Sequence, residues 1–155
     1  MDCIIKEFNE LTLNELYEII KLRLEVFVCE QKVTIENDLD EIDKESFHLF
    51  IKENEKIIAY LRIIPKGVQK EYVTFGRVAV LKEYRRRGFA TQLIKEAVHY
   101  IKNNLKEKEI IISAQEQAKN VYLNCGFIII SDLYNEAGIP HLKMKLSIDN
   151  IRALY

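Results

Sequence analysis

The sequence predicts a mixed α/β domain built in layers, and three observations carry that prediction. A capped amphipathic helix lies near the start, a block of β-branched and aromatic runs fills residues 47–80, and helices then alternate with apolar runs to residue 146. The chain has 155 residues and 48% hydrophobic content, enough for one core and too little for two, so a single domain over 1–155 is expected.

Each element follows from its own pattern. TLNELYEIIKLRLEVF (12–27) opens with Thr12 and carries Glu15 three residues on, the reciprocal arrangement of a capping box. Leu13, Leu16, Tyr17, Ile20 and Leu24 then share one helical face, the expected apolar face of an amphipathic helix. The stretch QKVTIENDLDEIDK (31–44) is acidic and weakly periodic, a loop or short helix rather than core. FHLFIKE (47–53), a turn at Asn54-Glu55, KIIAYLRII (56–64) and YVTFGRVAV (72–80) read as successive antiparallel strands. Ala90, Ile94, Ala97, Val98, Ile101 and Leu105 recur at helical spacing, and NNLKEKE ends that helix before a strand, EIIISA. AKNVYLN (118–124) is a short helix stopped by Gly126, followed by strands FIIIS and IPHLKMKL.

Charge and composition exclude several function classes. Lys+Arg of 23 against Asp+Glu of 24 leaves a net charge of −1, without the basic excess that nucleic-acid binding requires. MDCIIKEFNE has no basic region leading into a long apolar one, and no segment approaches the roughly 20 apolar residues of a membrane span. A cytoplasmic protein without membrane contact is expected. Cys3, Cys29 and Cys125 are odd in number and widely spaced, which points to reduced, mostly buried thiols and away from a disulfide framework or a zinc site.

The most informative stretch is EYRRRGFATQLI (83–94), three arginines and a glycine between a strand and a helix. A helix start without a capping side chain leaves backbone N–H groups that want an anion. Gly88 removes the Cβ that would block close approach, and Ala90 keeps the next contact small. A pyrophosphate fits that description. Neither a G-x-G-x-x-G after a strand nor a G-x-x-x-x-G-K-[ST] is present, and no serine has a G-x-S-x-G setting, so the usual nucleotide-binding and hydrolase readings fall away.

Arg85-Arg86-Arg87-Gly88-Phe89-Ala90, preceded by the strand GRVAV, resembles the Q/R-x-x-G-x-G/A loop of the GNAT superfamily of acyl-CoA-dependent N-acetyltransferases. NVYLNCGF (120–127) is similar to that family's second signature, a tyrosine-bearing helix ending at Gly-Phe. RLEVFVCEQ (23–31), the acidic loop leading to His48, SAQ (113–115) and YNEAGIPHLKM (134–144) are similar to the ElaA-like branch, except that the loop reads ENDLDEID in place of an Asp-Gly turn.

The resemblance implies a GNAT-like fold, a mostly antiparallel sheet of about six to seven strands splayed near the middle and flanked by about four helices. It implies acetyl-CoA as cosubstrate and no metal, with the pyrophosphate on Arg85, Arg86, Arg87, Gly88, Phe89, Ala90 and Thr91. The pantetheine would run along Val78, Ala79 and Val80, with Asn120 and Tyr122 near the thiol end. An unpaired N–H, that of Val80, would face the thioester oxygen of a tetrahedral intermediate, and Tyr122 would protonate the departing thiolate. An alkyl amine with a pKa of about 10.4 must lose a proton before it attacks. By residue type, Glu30, His48 and His141 are the expected proton acceptors, with Glu116 in reserve. The acceptor amine is unidentified, although the 36–45 loop would favour a cation if it lines the cleft. Monomer and homodimer are both compatible, and the alternative to an enzyme is a catalytically silent acyl-CoA-binding regulatory module.

Overall fold

The computed structural model describes residues 1–150. Strands β1 (Cys3–Glu7), β2 (Phe47–Glu53), β3 (Lys56–Ile64) and β4 (Thr74–Val80) form one antiparallel sheet in that order. A second sheet is built from β5 (Glu109–Gln115), β6 (Ile128–Ile129), β7 (Tyr134–Glu136) and β8 (Ile139–Ser147), with β8 pairing antiparallel to the other three. Helices α1 (Leu13–Arg23) and α2 (Phe89–Tyr100) each continue as π-helical turns, through Leu24–Glu30 and Ile101–Leu105, and α3 (Lys119–Asn124) is short. This is the layered α/β arrangement expected, with the sheet divided in the middle. The sequence reading lacked β1 and β7, because five and three residues are too few for alternation to stand out.

The core centres on β3, whose residues from Ile57 to Ile64 are all buried, with α1 packed over β3 and β4 and α2 reaching from β1 to β4. The hairpin between β2 and β3 turns at Asn54-Glu55 as predicted, with Asn54 in the left-handed region at φ 57°.

Helix α1 is capped as expected, since the Glu15 amide donates to Thr12 Oγ1 at 3.1 Å and the Thr12 amide to Glu15 Oε1 at 2.9 Å. Its buried face is not the expected one. Leu13 is 88% and Tyr17 67% exposed, while Glu15, Ile19, Leu22, Arg23 and Val26 point inward. Two of those inward residues are charged, so counting apolar positions selects the wrong side of the helix. Their burial is permitted by partners: Glu15 takes Lys6 at 2.8 Å and Lys52 at 2.9 Å, tying α1 to β1 and β2.

Arg23 belongs to a larger ion-pair cluster that engages the acidic loop. Its Nε meets Asp38 at 2.9 Å and its Nη1 meets Asp43 at 2.6 Å. Arg62 on β3 grips Asp40 at 2.7 Å and Asp43 at 2.9 Å, and Arg77 on β4 reaches Asp38 at 3.1 Å. The loop is irregular with one short helical turn, as predicted, but its aspartates are charge partners of three arginines. Where the resemblance led us to expect an Asp-Gly turn, Glu41 follows Asp40 at φ 65°, a left-handed conformation that costs a side-chain-bearing residue about 1–2 kcal/mol. The anchored aspartates on either side hold it there. Of the three thiols expected to be mostly buried, Cys125 is buried, Cys3 half-buried and Cys29 exposed on the π-helical turn.

Burial alone would raise the Glu15 carboxyl, but hydrogen bonds from Lys6 and the Thr12 amide, together with Lys52, bring it down to about 2. A carboxyl lowered by folding stabilises the fold above its unfolded pKa, about 4.3, and that stabilisation is lost as pH falls through the folded value. Glu15→Gln is therefore expected to cost on the order of 2–3 kcal/mol at pH 7. In urea unfolding, the gap to wild type should close as the pH is lowered from about 4.3 towards 2.

Candidate functional site

Strands β4 and β5 meet through the Ile111 amide, which donates to the Val73 carbonyl at 3.4 Å, and then part. Between them opens a cleft of about 1840 Å³ walled by Thr74–Val80 on one side and by Ile111, Ser113, Gln115, His141 and Lys143 on the other. The edge of β4 along this cleft is free to pair with an extended ligand.

A bulge shapes that edge. Arg62 pairs with Gly76 and Tyr60 with Ala79, so Leu61 faces two residues of β4, and Arg77 takes φ 51° to fit the extra one. Past the bulge, the Leu81 amide bonds back to the Ile58 carbonyl at 2.9 Å. Val80, one residue earlier, therefore presents its N–H and C=O away from β3 and into the cleft. Its carbonyl accepts Arg85 Nε at 2.8 Å.

At the near end of the cleft, α2 begins at Gly88, with φ 83° and no side-chain cap. The first amide bonded back within the helix is that of Gln92, to Gly88 O at 3.0 Å, which leaves the amides of Phe89, Ala90 and Thr91 directed at the cleft. A Cβ placed on Gly88 would meet no protein atom within 4 Å, so the space in front of it is open. The helix dipole adds about half a positive charge at this end.

The three arginines behave differently from one another. Arg85 grips Glu30 in a two-pronged contact at 2.6 and 2.8 Å, so its donors hold protein groups. Arg86, at φ 62°, lies exposed along the cleft, whereas Arg87 stacks on Tyr84 and Phe89 at 5.3 and 5.4 Å, away from the cleft wall. Of the three arginines, Arg86 is thus the one whose side chain is left along the cleft beside the amides that start α2. Asn120 is exposed at the start of α3 and does not reach the cleft, while Tyr122 does. The Tyr122 ring packs against Phe75 at 6.2 Å and Phe127 at 5.9 Å, and burial pushes its phenol well above the usual value, so it keeps its proton at neutral pH.

The expected proton acceptors separate as clearly. The hydrogen bonds from Arg85 lower the Glu30 carboxyl, which makes it a weak base. His48, on β2 within the first sheet, is 1% exposed. Its Nε2 lies 2.8 Å from the Asp43 carbonyl, which can only accept, so Nε2 carries the proton and Nδ1 accepts from the Tyr60 hydroxyl at 2.7 Å. Burial lowers its pKa and keeps the ring neutral, and both nitrogens are engaged by protein groups. Glu116 pairs with Lys119 at 3.3 Å, off the cleft walls.

His141 does face the cleft. Its Nδ1 donates to the Ile139 carbonyl at 2.7 Å, leaving Nε2 to point at Glu136 Oε2, 3.3 Å away. Around it stand residues that sequence reasoning missed: Glu136 and Tyr134 on β7, Ser113 on β5, and Gln115, whose amide exchanges hydrogen bonds with Gln31 at 2.9 and 3.3 Å. Their signal was present in YNEAGIPH. Ala137-Gly138, at φ 52° and 81°, is a two-residue hairpin turn, and alternation then puts Tyr134, Glu136 and His141 on one face.

A family model described as an acetyltransferase (GNAT) domain matches residues 15–148. A UPF0039 protein of Schizosaccharomyces pombe is 39% identical over 150 residues, 96% of this chain and 98% of its own. ElaA of Escherichia coli is 31% identical over 137 residues, 88% of this chain and 90% of its own, and its crystal structure aligns at a TM-score of 0.86. The crystal structure of an acyl-CoA N-acyltransferase from Pseudomonas aeruginosa, 31% identical, gives a TM-score of 0.86 and covers 95% of this chain and 100% of its own.

The placement of His48 yields a direct check on its role. His48→Ala should cost on the order of 2–4 kcal/mol in chemical unfolding, from the cavity and the two groups left unpaired, and leave ligand affinity in the cleft unchanged. Loss of affinity in a variant that remains folded would return His48 to the site.

Proposed function

The chain belongs to the GNAT family of acetyltransferases, and we propose that it moves an acetyl group from acetyl-CoA to a primary amine. The observation that carries this reading is the junction of two features in one cleft. The uncapped start of α2 at Gly88 suits a pyrophosphate, and the unpaired edge of β4 beside it suits the peptide-like pantetheine.

When bound, acetyl-CoA supplies an activated acetyl thioester. The amides of Phe89, Ala90 and Thr91, with Arg86, hold its phosphates, and Val78, Ala79 and Val80 align the arm. The Val80 N–H, turned into the cleft by the bulge at Arg77, stabilises negative charge as it gathers on the thioester oxygen. Tyr122 holds its proton in an apolar surround and offers it to the departing sulfur, where the developing charge strengthens the hydrogen bond. On the acceptor side, His141 Nε2 is the ring nitrogen left facing the cleft when Nδ1 donates to the Ile139 carbonyl, which favours it over Glu30 and His48 as the group that receives the amine proton. Release of CoA in the presence of primary amines, absent without them, tests the activity as a whole.

Gly88→Glu fills the open space before α2 with a side chain and a like charge, and should abolish acetyl-CoA binding in calorimetry. A folded variant of wild-type affinity would remove the cradle from the proposal.

Tyr122→Phe keeps the ring packing and removes only the hydroxyl. It should leave acetyl-CoA affinity intact and lower kcat by about 10²–10⁴-fold, measured where chemistry limits the rate. An unchanged kcat under those conditions would reduce Tyr122 to a packing residue.

A further inference from the structure

Five carboxylates line the cleft: Glu30, Glu36, Asp38, Asp40 and Glu136. Three have permanent cations. Glu30 is held by Arg85, Asp38 by Arg23 and Arg77, and Asp40 by Arg62. Glu36 is exposed on the outer run of the loop, with no anchoring bond among the described residues. Glu136 differs from all four, because it is positioned by neutral groups and still open to the cleft.

Its position is set from two strands. Oε1 accepts the Ser113 hydroxyl at 3.0 Å, so the Ser113 oxygen is left to accept the short hydrogen bond from the Tyr134 hydroxyl. Donors are thus ordered Tyr134 to Ser113 to Glu136, so Oε1 is held in place by a neutral hydroxyl. Oε2 lies 3.3 Å from His141 Nε2, whose ring also packs beside Tyr134 at 6.1 Å. The carboxylate remains 48% exposed. A carboxylate serving only to fix a buried histidine would be enclosed with it, whereas His141 is buried and Glu136 is half open. Lys143 lies along the same face of β8, but no ion pair joins it to Glu136.

We propose that Glu136 recognises the acceptor of the acetyl transfer inferred above, docking the ammonium of a cationic primary amine beside His141. The inference rests on that reading of the cleft. The proton leaves the ammonium nitrogen for His141 Nε2, producing a neutral amine with its lone pair available and an imidazolium flanked by the Glu136 carboxylate. No other co-reactant is needed. Because the docking point is a carboxylate without a permanent cation, a cationic alkylamine is favoured there and an amine carrying its own carboxylate is disfavoured.

Three amines of matched length separate these cases: diaminobutane, butylamine and aminobutanoate, each assayed with acetyl-CoA. The wild type should use diaminobutane and butylamine in preference to aminobutanoate by kcat/KM. Glu136→Gln, which keeps the shape and the Ser113 contact, should raise KM for diaminobutane on the order of tenfold, compress the ranking and leave KM for acetyl-CoA unchanged. Glu136→Lys should move the preference towards aminobutanoate. Turnover by both variants with the wild-type ranking and KM values would overturn the role of Glu136 and leave the acetyltransferase reading standing. A wild type that binds acetyl-CoA yet acetylates none of the three overturns both.

Discussion

The parting of β4 from β5 beyond Val73 and Ile111 is the constraint on which the rest of the structure depends. A continuous sheet would pair every backbone group of β4 and leave no place for a ligand's own amides. Ending the pairing leaves donors and acceptors that must be satisfied by water or by a bound chain, since unpaired backbone groups are costly when buried. The helix that follows starts at the mouth of the same gap, with its own unpaired amides facing in. Two sets of unmet hydrogen-bonding groups therefore converge on one cleft, and a ligand with an anionic end and a peptide-like arm answers both.

An edge that is free to pair is also free to move, and the arginine-aspartate cluster limits that freedom. Arg77 sits at the bulge of β4 and is tied to Asp38, which is tied in turn to Arg23 on α1. Arg62, two strand positions past Tyr60 on β3, closes the set through Asp40 and Asp43. Such a cluster is not an efficient source of stability, because desolvating six charged groups offsets most of their mutual attraction. Its value lies in position. The bulge, the end of α1 and the loop share partners whose geometry admits little variation, so the direction of the Val80 N–H is fixed by contacts made well away from it. The left-handed Glu41 is part of the cost of that arrangement.

What was legible in the sequence was what depends on local chemistry. The Thr12-Glu15 capping box, the Asn54-Glu55 turn and the helix start at Gly88 each involve a few adjacent residues, and each is found where the sequence placed it. The wrong face of α1 shows where that reading ends. Leu13 and Tyr17 look like core residues by spacing, yet Glu15 and Arg23 take the interior because their partners, Lys6, Lys52, Asp38 and Asp43, arrive from distant segments. The same limit applies at the site. His48 and His141 have equal claims by residue type, and only burial and the direction of each ring nitrogen separate them. Arg85 and Arg86 are adjacent in sequence but differ in placement, because Glu30, from the far end of the first helix, engages only Arg85.

The two sides of the cleft are joined by a chain of contacts that bears on how they act together. From the Val80 carbonyl it runs to Arg85 and Glu30, and the next residue, Gln31, exchanges amide hydrogen bonds with Gln115. Gln115 lies opposite His141 in the β5–β8 pairing, and His141 meets Glu136. The last π-helical turn after α1 therefore touches both the strand that would align the cosubstrate and the strand pair that would receive the acceptor. Hydrogen bonds of this kind are directional, so a shift of that turn that shortened one contact would lengthen another. Placing the two sides in register thus depends on a segment that belongs to neither strand. That dependence gives a physical reason for the wide π-helical turns there. An α-helical continuation would rise about 1.5 Å per residue and rotate 3.6 residues per turn, carrying Glu30 and Gln31 to different points above the cleft.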